Sequence, residues 1–205
     1  HRDLQQFLTR LEFLNRILRQ NLRNQLDIIN SHAEVLDDSE HREAIITVTE
    51  TLATLGTRAR HIDHLLSKEP QPTTIDLADQ IEDVLSGIET DDVTVSTSLC
   101  DDATVVTDAE ILTTVLRSPL ENAVKYGDSS VSVSVESADS GCTIEIRDDG
   151  PGIPASELEP LTTEQETPLQ HSRGLGLWEL KWGGDKLDGQ LSFTSDDGTT
   201  VTIEL

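Results

Sequence analysis

The stretch Asp148-Asp149-Gly150-Pro151-Gly152-Ile153-Pro154 governs the reading of this 205-residue chain. It follows Cys142, Ile144 and Ile146, whose strict alternation is the period of a half-buried strand. A carboxylate at a strand end can accept a hydrogen bond from an exocyclic amine, and the glycines let the backbone come close before it swings into a loop. Taken alone, the motif is equally good surface-turn chemistry. Downstream, residues 151–173 hold four prolines and little periodicity; a loop of that length inside a domain is usually functional or mobile. It ends in Arg173-Gly174-Leu175-Gly176-Leu177-Trp178, where a helix is expected to begin and run to Lys186. Unbonded N–H groups at a helix start, with glycines beside them, suit a phosphate, although a lone G-x-G is a weak signal. Upstream, a helix is expected from Ala109 to Tyr126, ending Leu120-Glu121-Asn122-Ala123-Val124-Lys125-Tyr126. Asn122 offers a neutral oxygen able to ligate Mg²⁺, and Lys125, on the same helical face, can reach an anion. An ordinary amphipathic helix end would read the same way.

Working outward, Val131, Val133 and Val135 alternate as a second strand, turning through residues 139–141. Further strands are expected near residues 93–98 and 104–106, a helix from about 77 to 89, and a closing hairpin at 190–194 and 199–205. Together they make an α/β sandwich. Residues 68–74 (KEPQPTT), with two prolines and no apolar residue, read as a linker. The first third is helical. Leu4, Leu11 and Leu18 repeat every seven residues, with Phe7 and Leu14 between them, and the stripe restarts at Leu22, Ile29 and Leu36 after a stutter. After a turn at residues 37–40, Ile45, Val48, Leu52, Leu55, Ala59, Ile62 and Leu66 form a second stripe. A helical hairpin of this size has too little area to bury both stripes, and dimerising into a four-helix bundle solves that. The fold class is therefore α+β, with domains at 1–68 and 75–205.

The chain carries 39 acidic against 15 basic residues, a net charge of −24. This argues against nucleic acid and against an anionic membrane surface, because both need clustered cations. Only four of the basic residues are Lys, and acidic, Lys-poor surfaces suit high salt, where screening shortens the reach of self-repulsion. Aromatics are 3% of the chain, so the core must be aliphatic. No apolar run is long enough to span a membrane, and no signal peptide is recognisable. Cys100 and Cys142 show no metal-ligand spacing, which suits a reduced intracellular protein. The absence of Met predicts a piece of a longer chain.

The order and spacing of the three motifs resemble the N, G1 and G2 boxes of the GHKL (Bergerat) nucleotide-binding fold. The preceding hairpin narrows the resemblance to sensor histidine kinases, and Leu14-Asn15-Arg16-Ile17-Leu18-Arg19-Gln20-Asn21-Leu22-Arg23-Asn24 is similar to their H box in its haloarchaeal form. The resemblance implies ATP or ADP with Mg²⁺ as cofactors. Asp148 would bind the adenine amino group, Asn122 would hold Mg²⁺, Lys125 would approach the phosphates and Tyr126 would flank the nucleotide. Gly150 and Gly152 would let a lid at 151–172 pivot. The turn of Gly174, Leu175, Gly176 and Leu177 would admit the phosphates, with Arg173 as an extra contact. In the first domain, Gln20 occupies the phosphoacceptor position, surrounded by Arg16, Asn21, Arg23 and Asn24. The implied partners are a second copy, a response-regulator receiver domain and an N-terminal sensor domain, in the cytoplasm.

Departures from the pattern carry as much weight. The acceptor histidine is replaced by Gln20, whose amide nitrogen is not nucleophilic and cannot take a phosphoryl group. Either the histidine was exchanged in an active kinase, or the protein lost it and serves as a nucleotide-binding pseudokinase scaffold. Ser118 stands where kinases usually carry a second Asn and ATP-hydrolysing relatives a Glu base, which argues against an autonomous ATPase. Ser172 replaces the first Gly of the usual G-x-G-x-G, and Leu161 stands where the F box usually has an aromatic. Gln20 lies about 200° around its helix from both Leu18 and Leu22, so it faces away from the stripe. Arg16, Arg19 and Arg23 share that region, a basic patch suited to an anion. His32, His41, His61, His64 and His171 read as polar surface residues rather than substitutes for the acceptor.

Overall fold

A computed structural model describes residues 22, 25, 28, 29, 39–90, 93–100, 102–138, 141–155, 158 and 174–205. The heptads of the first helix fall almost wholly outside them, as do Arg16, Gln20, Asn21, Arg23, Asn24 and Arg173. Leu22, Gln25, Ile28 and Ile29 are helical, and Leu22 and Ile28 are exposed. Helix α1, Ser39–Ser67, begins inside the turn expected at residues 37–40. Its stripe is partly covered: Val48, Ile62 and Leu66 are buried, while Ile45, Leu52 and Ala59 are half-buried. Thr47, Thr49, Thr51, Thr54 and Thr57 each donate a hydroxyl hydrogen bond to the carbonyl four residues back, so these β-branched residues satisfy themselves within the helix. The chain divides into two compact units. One holds the described residues through Ser67 together with Gly174 and Leu175; the other holds the remainder from Lys68 onward.

The second unit is an α/β sandwich. Its elements are β1 Thr73–Asp76, α2 Leu77–Ser86, β2 Thr94–Ser98, β3 Thr104–Thr107, α3 Ala109–Tyr126, β4 Ser130–Ala138, β5 Gly141–Asp148, α4 Gly174–Lys186 from Gly176 onward, β6 Gln190–Thr194 and β7 Thr199–Glu204. Five strands form a sheet in the order β2-β4-β5-β7-β6, and β1 pairs with β3 as a separate ribbon. Strand β2 runs parallel to β4, and the other neighbours are antiparallel. Alternation sorts the sheet into two faces. Val131, Val133, Val135, Ile144, Ile146, Val201 and Ile203 are buried, while Ser132, Glu145 and Arg147 on the opposite face are exposed. The helices supply the other half of the core with Leu77, Ile81 and Val84 of α2 and Ile111, Leu112, Val115, Leu116 and Leu120 of α3. Each such aliphatic side chain contributes about 1.5–3 kcal/mol on burial. Trp178 and Trp182 of α4 are buried with ring centroids 5.4 Å apart.

Two expectations change. Helix α2 stops at Ser86, with Gly87 as its C-cap, rather than near residue 89. The segment read as a linker is anchored. Thr73 and Thr74 belong to β1 and pair with Thr107 and Val106. Before them, Lys68 Nζ donates to Asp108 Oδ1 at 2.8 Å and to Glu110, and the Gln71 N–H donates to Asp108 Oδ2 at 2.8 Å. Lys186 Nζ donates to the Lys68 carbonyl at 2.5 Å. Proline and polar composition mark an absence of apolar burial, and here polar bonds do the fastening instead.

Candidate functional site

Strand β5, the central strand of the five-stranded sheet, carries Asp148 at its carboxyl end, where the residue is only 6% exposed. Its Oδ1 accepts the N–H groups of Gly150 at 2.9 Å and Thr199 at 3.3 Å. Among the described residues nothing donates to Oδ2. The carboxylate is thus oriented by two backbone donors and keeps one oxygen for an external N–H donor.

Neighbouring Asp149 has a different task. Its Oδ1 accepts the backbone N–H groups of Asp128, Ser129 and Ser130, each at 3.0 Å, and its Oδ2 accepts the hydroxyls of Ser129 and Ser130 at 2.5 and 2.9 Å. The Ser129 hydroxyl, then the backbone donors, hold this carboxyl well below the usual carboxylate range. Asp149 therefore ties the loop between α3 and β4 to the end of β5. Sequence reasoning missed it because the two aspartates are adjacent and chemically identical.

Helix α3 contributes the second edge. Asn122 is half-buried, and no described residue bonds its amide. Lys125 is exposed, with its ammonium 5.3 Å from the centroid of the Tyr126 ring. Gly150 brings this helix end to the strand end, because a Cβ there would lie 2.1 Å from the Tyr126 carbonyl oxygen. Its role in the described geometry is close approach rather than a positive φ. Gly152 does adopt φ +78, and a Cβ on it would lie 2.3 Å from Ser195 Oγ. That hydroxyl accepts the Ile153 N–H at 2.8 Å and donates to the Ile153 carbonyl at 3.2 Å, pinning the start of the long loop to the β6–β7 turn. Nothing in the sequence distinguishes Ser195 from any other turn serine.

Helix α4 starts at Gly174, as expected. Gly176 and Leu177 are buried and lie in the same unit as Asn122 and Asp148; Gly174 and Leu175 belong to the other unit. Ser118, one turn before Asn122, is buried and donates to the Gly176 carbonyl at 3.1 Å. Six of the expected residues (Asn122, Lys125, Tyr126, Asp148, Gly150 and Gly152) thus converge where α3 and β5 end, and Ser118 joins α3 to Gly176. A cavity of about 520 Å³ between α4 and β6, lined by Lys181, Asp185, Leu191 and Phe193, contains none of them.

The donor set fits a nucleotide better than a bare cation. Among the described residues no cluster of three or more His, Cys, Asp or Glu could cage a metal ion. A Mg²⁺ ion would need phosphate oxygens and water beside Asn122, as this small octahedral cation commonly does.

Residues 107–205 match the family described as Histidine kinase-, DNA gyrase B-, and HSP90-like ATPase. The chain is homologous to sensor kinases. It is 34% identical over 107 residues to the sensor protein BceS of Halalkalibacterium halodurans, covering 48% of this chain and 32% of that one. The chain thus spans about a third of that relative's length. Solved structures share the fold. The histidine kinase AdeS of Acinetobacter baumannii superposes with a TM-score of 0.67 at 20% identity, covering 90% of this chain and 95% of that one. Full-length ShkA in complex with AMPPNP gives 0.62 at 16% identity, covering 93% and 45%. Among the described residues no helix is long and apolar enough to cross a membrane.

Proposed function

We propose that the chain is the catalytic core of a two-component sensor histidine kinase whose C-terminal domain binds ATP with Mg²⁺. The observation that carries this reading is Asp148: a buried carboxylate, oriented by two backbone N–H groups, with one oxygen left for an exocyclic amine such as that of adenine. The family match over the same residues supports it. In this reading Asn122 ligates Mg²⁺ through its side-chain oxygen and Lys125 neutralises phosphate charge. Tyr126 flanks the nucleotide, and the turn of Gly174, Leu175, Gly176 and Leu177, with Arg173, receives the phosphates. Mg²⁺ supplies charge neutralisation at the transferring phosphoryl group. The protein's share is to hold adenine at Asp148 and the phosphates near Asn122, so that the γ-phosphate is presented in a fixed place.

The helical hairpin at 1–68 would dimerise into a four-helix bundle. The half-buried Ile45, Leu52 and Ala59 and the exposed Ile46 on α1 support this, since a second copy can cover them. The phosphoryl group would pass to the H-box position and then to a receiver-domain Asp, with signal input from a sensor domain elsewhere in the full protein. A cytoplasmic place follows from the supply of ATP. With Gln20 at the acceptor position, this form would bind ATP without phosphorylating itself. That residue also favours a second reading, a pseudokinase that binds nucleotide and scaffolds a regulator or partner kinase.

Both readings need nucleotide binding through Asp148. In titration calorimetry at high salt with Mg²⁺, Asp148→Ala is expected to weaken ATP binding by about 100-fold or more, the scale of a lost charge-assisted hydrogen bond plus its orienting role. Unchanged affinity in that variant would sink both.

A further inference from the structure

We propose that Ser118 is a positioning residue that sets the hold on the nucleotide's phosphates without acting on its base. Helical hydroxyls in this protein normally serve their own helix. Every described Thr of α1 and α3 donates to the carbonyl four residues back, including Thr113 to Ala109 and Thr114 to Glu110 on α3 itself. Ser118 departs from that habit. Its hydroxyl leaves α3 and donates to the Gly176 carbonyl on α4, 58 residues away in sequence, at 3.1 Å. The bond is buried, with Ser118 only 6% exposed, so water does not compete for it.

Its location gives it leverage. Pro119 follows inside α3, and its missing N–H leaves the Val115 carbonyl without its usual helical donor. The cross-helix bond therefore falls on a turn where α3 is least held by its own hydrogen bonds. One turn further along the same helix is Asn122. Ser118 thus fastens the Asn122 end of α3 to the opening of α4, the two elements to which the phosphate side of the site is assigned. Asp148 is held independently, by Gly150 and Thr199, and has no bond to Ser118 or Gly176. Loss of the serine hydroxyl is expected to loosen one side of the site and leave the other unchanged.

The inference rests on the nucleotide reading above, and the test separates the two. Binding of MgATP and of adenosine is measured by NMR titration for the wild-type chain, Ser118→Ala, Ser118→Cys and Ser118→Thr, with Asp148→Ala as control. Ser118→Ala is expected to weaken MgATP about 5- to 10-fold, the size of one buried hydrogen bond, and to leave adenosine within twofold. Ser118→Thr, which keeps the hydroxyl, is expected to restore MgATP affinity. Ser118→Cys, which keeps the side chain's shape with a weak donor, reads the same difference should the alanine variant fail to fold. Equal losses for both ligands would reduce Ser118 to a packing role, and unchanged MgATP affinity in both the Ala and Cys variants would overturn the inference. Failure of threonine to restore binding would also count against it. In either case MgATP binding that still depends on Asp148 would leave the nucleotide reading standing. A wild-type chain that binds neither ligand would overturn both.

Discussion

Asp148 and Asp149 have the same side chain on adjacent residues, and their surroundings give them opposite work. Asp148 has two backbone donors on one oxygen and none described on the other. Asp149 has both oxygens occupied by residues 128–130. A carboxylate saturated in this way is a fastener, since it has no acceptor capacity left for a ligand. Asp149→Ala is accordingly expected to release the α3–β4 loop while the sheet stays folded. Hydrogen exchange at the Ser129 and Ser130 amides should speed up by tenfold or more, because local opening there no longer breaks those bonds. Unchanged exchange at both amides would show that the loop is held by something other than this carboxylate.

At the scale of the element, α3 shows how one helix is tied at both ends by different means. Asp108 caps its start, accepting the Glu110 and Ile111 N–H groups at 3.0 Å each, and also holds Lys68 and Gln71. Burial works to raise the Asp108 carboxyl, but the Lys68 hydrogen bond and the Gln71 and Ile111 N–H groups outweigh it, and the pKa falls to about 2. The sign of the linkage follows. A carboxyl depressed in the folded state contributes stability above its unfolded pKa near 3.8, and that contribution is lost as pH falls toward about 2. Asp108→Ala should lower stability at neutral pH by about 1–3 kcal/mol, from the lost cap and the lost bonds to Lys68 and Gln71. In urea melts, the gap between wild type and variant should narrow between about pH 4 and pH 2. A constant gap through that window would mean that Asp108 contributes by shape and not by charge. The same residue explains why the linker was misread. KEPQP shows no burial pattern, and its partners on α3 and α4 lie about 40 and 118 residues along the chain.

For the molecule as a whole, a net charge of −24 makes each lysine informative. Of the four, Lys68 and Lys186 fasten the segment before β1, Lys125 lies at the candidate site, and Lys181 has its ammonium 5.9 Å from the Trp178 ring centroid. The acidic excess is spread over a fold whose core is almost wholly aliphatic. In the proposed kinase reading, autophosphorylation turns on position 20. Gln20→His, incubated with labelled ATP and Mg²⁺ in high salt, is expected to acquire acid-labile, base-stable label, while the Gln20 form stays unlabelled. A histidine variant that binds ATP and remains unlabelled would favour the pseudokinase scaffold.

The sequence by itself determined most of the elements. Strand alternation, helix periodicity and the glycine-bearing motifs predicted α3 and α4 with their observed limits, and predicted the closing hairpin to within a residue. These signals are local, because burying one face of a strand or helix imposes its period on consecutive residues. Only the tertiary structure showed what Asp149, Ser118 and Ser195 hold, and how the linker is fastened. The pairing of Val131 with Asp148 brings Ser129 and Ser130 beside Asp149, and no local pattern encodes that register. Hydrogen-bond capacity is written in the residue type, but the partner that uses it is chosen by the fold.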